Sequence, residues 1–355
     1  MKKIFIRSPY YIQVAETGQA GSKIEVFLWN YTDTEPTTPT YTLSKEIPSP
    51  SQIETSYNVA NLAKDFIKIT YPTIVTTPTI EEHTAWCYMK VKRYKLSGGV
   101  YTLLDTETIV CLNGYSTYEQ GYNYSTTTQI VPLLKNWYNF YNPNNAYLYK
   151  DLSFYIDFWI EQDAYNEYSV KVEYYDKDFE TISIVEIMPI SGQEGVYKVP
   201  IIEDTYFLSV YGESAELSIF FEKVCEPKYT PKTVAFINRY GGWQFLTFFK
   251  ASKESIDVTS TKFDLMPEDL NYNIKIGQTR TLNHNGKQKI RMNTGFVQES
   301  YFELMQDLLL SEVVLIDNKP ATVKTNSLDY KKRLDGLINY EVEFEYSFNL
   351  IQNVR

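Results

Sequence analysis

PKTVAFINRYGGWQFLTFF, residues Pro231 to Phe249, is the stretch from which the fold of this chain is read. Two apolar runs of strand type flank Tyr240-Gly241-Gly242-Trp243. Paired glycines between such runs signal a hairpin, because glycine takes positive φ without a Cβ clash. Val234 and Phe236 share one face of the incoming strand; Trp243, Phe245, Thr247 and Phe249 share one face of the outgoing strand. An aromatic hairpin therefore opens a C-terminal block.

Further along that block, Tyr272 to Leu282 and Lys287 to Met292 flank His284-Asn285-Gly286, and Asn-Gly between strand runs predicts a second hairpin. A helix is expected over residues 298–310, where Tyr301, Phe302, Met305, Leu308 and Leu309 form an apolar stripe and Glu299 and Glu303 suit a helix N-terminus. A turn at Asp317-Asn318 joins two short strands. In the last strand Tyr340, Val342, Phe344, Tyr346, Phe348 and Leu350 alternate with Glu341, Glu343, Glu345, Ser347 and Asn349. Six apolar side chains on one face, at roughly 1.5 to 3 kcal/mol each if buried, make this strand a main contributor to its core. The row Glu341, Glu343 and Glu345 cannot be buried unpaired and must meet water or a basic partner. It either blunts exposed sheet surface or faces a shared solvent channel.

Upstream the chain also reads as β. Ile24, Val26 and Leu28 alternate with Glu25 and Phe27, and Ala85 to Tyr94 and Val100 to Leu112 are strands joined through Ser97-Gly98-Gly99. Asn58 to Ile67 sets Val59, Leu62, Ala63 and Phe66 at helical spacing. From Leu152, the residues Leu152, Phe154, Ile156, Phe158 and Ile160 face one way and Ser153, Tyr155, Asp157 and Trp159 the other. Short strands then follow to Glu222, and Cys225 to Pro231 is a proline-stiffened linker. The expected fold class is mainly β: tandem β-sandwich-like domains with a few short helices, and a C-terminal β-rich domain with one packed helix. The expected boundaries are 1–150 for an N-terminal β-rich domain with one short helix, 151–227 for a small sandwich, and 228–355 for the C-terminal domain.

At 355 residues the chain is long for one core. Its 32 tyrosines and 19 phenylalanines suit strands and protein contacts. A net charge of −10 argues against a surface that neutralises phosphates, so no specific nucleic-acid binding is expected. No apolar run approaches membrane-spanning length, and the run before Arg7 is too short for a signal-peptide core. Cys87, Cys111 and Cys225 lack metal spacing and fit buried thiols in a reducing cytoplasm, where synthesis is expected. His83 and His284 belong to no metal or base motif, and phosphate loops and nucleophile elbows are absent. The sequence therefore predicts no enzyme, no catalytic residue, no metal site and no cofactor.

The segments EPKYTPKTVAFINRYGGWQFLTFFKASKE, NTGFVQESYFELMQDLLLSEVVLID and LINYEVEFEYSFNLIQNVR, with NGYSTYEQGYN at residues 113–123, resemble structural proteins of crAss-like and related tailed phages of gut bacteria. The resemblance implies a virion protein of the tail or neck, a subunit of an oligomeric ring between portal and distal tail that forms part of the DNA conduit wall. Its partners would be copies of itself in a ring and other tail, neck or portal proteins, with no membrane. A ring subunit needs stiff modules and large contacts with little entropy to lose. Arg239, Tyr240, Gly241, Gly242 and Trp243, with Phe302 on the helix, are the expected intersubunit contact, because their aromatics lie beside a turn read as exposed. Glu341, Glu343 and Glu345 are the candidate lumen row. The alternative is a carbohydrate-binding β-sandwich module of a phage adhesin, with Trp137, Tyr138, Tyr141 and Tyr147 as its stacking platform; a weaker third is a scaffold lost from mature particles.

Overall fold

A computed structural model describes residues 1–30, 33–49, 52–80, 85–120, 130–133, 146–148, 155–161, 170–187, 194–212, 216–223, 228–266, 270–271, 273–298, 301–328 and 337–352. The fold is mainly β, with several sheets and a few short helices. The chain forms two compact units, one of Met1–Val224 with Ile237–Phe245 and one of Cys225–Phe236 with Leu246–Arg355. The aromatic hairpin is thus divided between them: its strands begin and end in the second unit, and its tip is part of the first.

The first unit is a stack of sheets. A five-stranded sheet runs in the order Lys2–Phe5, Val100–Leu112, Trp86–Ser97, Gly21–Asn30, Tyr41–Glu46. Gly98 and Gly99, at φ +58° and +80°, make the tight turn between its two long strands, as their spacing predicts. One face of this sheet packs on the strand pair Tyr11–Ala15 and Glu54–Asn58 and on Ala60–Phe66, through Ile12, Val14, Tyr57, Ile24 and Met89. The predicted helix here is a 3-10 helix of seven residues that buries Ala60 and Ala63. Its N-cap, Val59, offers no side-chain acceptor, so little favours a longer α-helix.

A four-stranded sheet lies against the other face, in the order Thr79–Ile80, Gly195–Pro200, Tyr155–Ile160, Ile130–Pro132. Trp86 and Trp159 meet edge to face at 4.8 Å in the core between these two sheets, with Phe5, Val110, Leu133 and Val196 around them. Ile156, Phe158 and Ile160 point the opposite way, onto a third sheet ordered Ala146–Leu148, Glu216–Lys223, Phe207–Tyr211, Val170–Tyr175, Thr181–Ile187. The sandwich expected over 151–227 is therefore not self-contained. Its central sheet takes Thr79–Ile80 and Ile130–Pro132 from before residue 150, and Tyr155–Ile160 is buried on both faces.

The second unit is built on a seven-stranded sheet ordered Trp243–Phe248, Lys232–Ile237, Val314–Ile316, Lys319–Val323, Leu337–Tyr346, Thr279–Gln298, Lys253–Asp264, whose first two strands run into residues 237–245. Asp317 and Asn318 form the predicted turn, at φ +47° and +63°. The helix spans Phe302–Leu309, shorter than the expected 298–310, and buries Met305 and Leu308. Tyr340, Val342, Phe344 and Tyr346 are buried as their alternation requires. Phe348 and Leu350 are not: the strand ends at Tyr346, and both lie exposed beyond it.

The Asn285-Gly286 hairpin does not form. These residues sit inside the continuous strand Thr279–Gln298, which pairs with Lys253–Asp264. A two-residue turn needs positive φ at both positions, but here only Asn283 is positive, at +53°. Asn283 and His284 stand opposite the single Ser260 in a β-bulge, between the pairs Thr259–Asn285 and Thr261–Leu282.

Candidate functional site

Among the described residues no group of three or more His, Cys, Asp or Glu could hold a metal ion. Cys87 and Cys111 are both buried and stand directly opposite each other on adjacent strands. Burial first, then the Cys87 contact, pushes the Cys111 thiol well above its ordinary pKa, away from a reactive thiolate. His284 is exposed and meets Thr281 at 2.9 Å. No helix of the described residues is long and apolar enough to cross a membrane.

The hairpin tip forms a densely hydrogen-bonded, buried arrangement. Asn238, fully buried, accepts at its Oδ1 from Tyr240 N at 2.9 Å and Gly242 N at 3.3 Å, and its Nδ2 donates to Leu133 O at 2.8 Å. Tyr115 N donates to Arg239 O at 2.7 Å, and Trp243 Nε1 donates to Thr70 O at 2.9 Å. Asp157 Oδ2 accepts from Trp243 N at 2.7 Å. The turn expected to be exposed is therefore enclosed within its own unit: Gly242 and Trp243 are buried, and Arg239, Tyr240 and Gly241 are half-buried. Phe302, in the other unit, is half-buried on its helix.

A small cavity of about 20 Å³ adjoins the tip, lined by Thr70, Asn113, Leu133, Asp157, Gly241 and Trp243 among others, and is large enough for a water molecule. Asp157 Oδ1 has no hydrogen-bond partner in the described residues. Burial pushes the Asp157 carboxyl up to about pKa 7, against the opposing pull of the Trp243 N–H. Lys198, directly across the strand pair, is likewise buried and is driven down to about 8; its ammonium lies 5.1 Å over the Tyr155 ring. The alternation of Tyr155–Ile160 set Asp157 on the face opposite to Ile156, Phe158 and Ile160. The five-stranded sheet, through Phe5 and Trp86, covers that face and makes it a core.

Glu341, Glu343 and Glu345 are answered within their own sheet. Arg291 reaches Glu343 at 2.7 Å and Glu341 at 3.4 Å, and Glu345 is met by Lys287 at 3.1 Å and Lys324 at 3.2 Å. The Arg291 hydrogen bond holds the Glu343 carboxyl below the usual range. Burial raises Glu345, and its two lysines more than offset that. The signal was present in the sequence: Lys287, Lys289 and Arg291 alternate with the same period as the glutamates.

Trp137, Tyr138 and Tyr141 lie outside the described residues, as do His83 and Cys225 and the loop residues 121–123; the backbone of Tyr147 pairs in parallel with Glu222. An extended exposed feature among the described residues is a β-arm, Lys253–Asp264 paired with Thr279–Arg291. Nearly every residue of Lys253–Asp264 is exposed, Ile256 at 59% and Val258 at 65% among them, and Leu282 on the paired strand is 50% exposed. No protein-family model matches the chain, and no curated protein is similar to it in sequence. Fold and site define a multi-sheet β protein with an exposed β-arm.

Proposed function

We propose that the protein is a virion structural subunit, forming an oligomeric ring in the tail or neck of a tailed phage between portal and distal tail. The observation that carries this reading is the arm. Lys253–Asp264 is the edge strand of the seven-stranded sheet, and from Ile256 outward it pairs with Thr279–Gln288 beyond the reach of the next strand's ladder, exposing apolar side chains along that edge. Contact with a neighbouring copy would bury those side chains and pair that edge. The net charge of −10 suits a wall from which DNA is repelled. The resemblance of the C-terminal segments to phage tail proteins supplies the particular assembly.

Electron cryo-microscopy of purified particles and native mass spectrometry of the protein test it. A closed ring of this chain is expected, on the particle or on a portal template. A monodisperse monomer absent from purified virions would overturn the reading. Replacing Ile256 and Val258 by lysine should leave the circular dichroism and melting temperature of the monomer near those of the parent. Surface changes usually cost within about 0.5 kcal/mol. The same substitutions should abolish ring closure, since several kcal/mol of apolar contact would be lost at each junction, at roughly 1.5 to 3 kcal/mol per buried side chain. Rings that form undiminished would exclude the arm as the contact.

A further inference from the structure

We infer that Cys87 and Cys111 are a modification site, a cross-strand pair that closes to a disulfide when the protein meets a small-molecule disulfide oxidant. This goes beyond the ring reading and does not depend on it. The chain has three cysteines, and two of them stand opposite each other in the first unit's five-stranded sheet. A role as small apolar filler gives no reason for that coincidence. The pair lies in a ladder that runs without a register shift from Trp86–Leu112 to Arg93–Asp105, and its outer neighbours hold it on both sides, Asn30 opposite Cys87 and Ile4 beside Cys111. Residues directly opposed on antiparallel strands stand about 4.5 to 5.5 Å apart at Cα, within the roughly 4.4 to 6.8 Å that a disulfide spans, and their Cβ atoms leave the same face. Both thiols are fully buried among Met89, Val91 and Ile109, and they touch each other.

Both thiols are free, and no third His, Cys, Asp or Glu among the described residues joins them in a cluster, so the chemistry open to each is with the other. One thiolate attacks the oxidant's S–S bond, forming a mixed disulfide and releasing one small thiol. The second thiolate then displaces the other small thiol and joins Cys87 Sγ to Cys111 Sγ. The protein loses two hydrogens and two electrons, and the oxidant gains them as two thiols. Burial governs the rate: the oxidant reaches neither sulfur until the sheet opens, and a reductant is kept from the finished bond in the same way. The bond ties the two long strands on either side of the Gly98-Gly99 turn, so it locks the first unit once formed.

The test uses the full chain carrying Cys225→Ser, so that the two thiols in question are the only ones. Unfolded and then refolded in a mixture of reduced and oxidised glutathione, it should yield peptides joined through Cys87 and Cys111, lighter by two hydrogens in mass spectrometry and separated by reductant. The folded protein should reach the same product about tenfold or more slowly, and mild urea should speed it. The linked form should melt roughly 5 to 10 °C above the reduced one, whereas Cys111→Ala should melt alike with and without oxidant. Refolded protein that stays reduced, or that carries only glutathione adducts or links between chains, overturns the proposal. A linked form that melts below the reduced one overturns it too, because the bond would then distort the sheet that is said to present it.

Discussion

Asp157→Asn is expected to stabilise the first unit by up to about 4 kcal/mol near pH 8 and by little near pH 4. The estimate follows from linkage. The carboxyl titrates near 3.8 when exposed and near 7 in the fold, a difference of about three units at about 1.4 kcal/mol each. Between those values the unfolded chain has released its proton and the folded one has kept it, so stability falls as pH rises from about 4 to about 7, then levels off. Asparagine still accepts from Trp243 N, carries no charge to bury, and turns its amide toward the cavity, where a water can answer it. Chemical denaturation of parent and variant across this range measures the difference directly. Subtracting the curves removes the opposite trend of carboxyls such as Glu343, whose lowered pKa contributes stability that is lost toward acid.

The groups around Asp157 sharpen that expectation. Tyr155 is on its own strand, Lys198 is opposite, and Lys68 lines the cavity. Burial depresses Lys198 to about 8, so the folded state sheds its proton before the unfolded state does, and stability rises with pH above about 8. The parent should therefore be least stable between about pH 7 and 8, where a carboxylate and an ammonium are both buried. Asp157 owes its shift chiefly to burial, and Lys198 owes its own to burial, not to mutual attraction. A flat difference curve would show that water reaches the carboxylate.

How far the sequence could be read depends on how local the determining interaction is. Gly98-Gly99 and Asp317-Asn318 were legible because a tight turn is set by the φ preferences of the residues inside it. The alternation from Tyr340 to Tyr346 was legible because a strand buried on one face writes its period into the chain. Asn285-Gly286 misled because the same preference also serves a bulge, and only the partner strand decides which forms. Asp157 was hidden for a different reason. Alternation separates two faces but does not say that a second sheet will cover the outer one, and a lone carboxylate between Ile156 and Phe158 looks solvent-facing until that sheet is placed. The hairpin tip was misjudged in the same way. Its glycines were read as freedom to turn, whereas their neighbours make them a requirement for close approach.

That distinction gives the second large expected effect. Gly241→Ala should cost about 3 kcal/mol, and Gly98→Ala about 1 kcal/mol, although both replace a turn glycine at positive φ. At Gly98 nothing lies within 4 Å of the added methyl, so only the left-handed backbone opposes it. At Gly241 the methyl would stand 2.8 Å from Asn113 C and 2.9 Å from Asn113 N, backbone atoms that cannot rotate aside, and overpacking adds about 1 to 3 kcal/mol. Gly242→Ala separates the two contributions. Its φ is not in the left-handed region, yet its Cβ would lie 2.6 Å from Leu133 O and 2.7 Å from Leu133 Cβ, so its whole cost is steric. Thermal melts of the three variants distinguish an enclosed tip from an exposed one. If the tip were surface available to a neighbouring subunit, Gly242→Ala would be nearly silent and Gly241→Ala would match Gly98→Ala. An enclosed tip makes Gly242→Ala cost more than Gly98→Ala and reserves the exposed arm, not Trp243, for contact between copies.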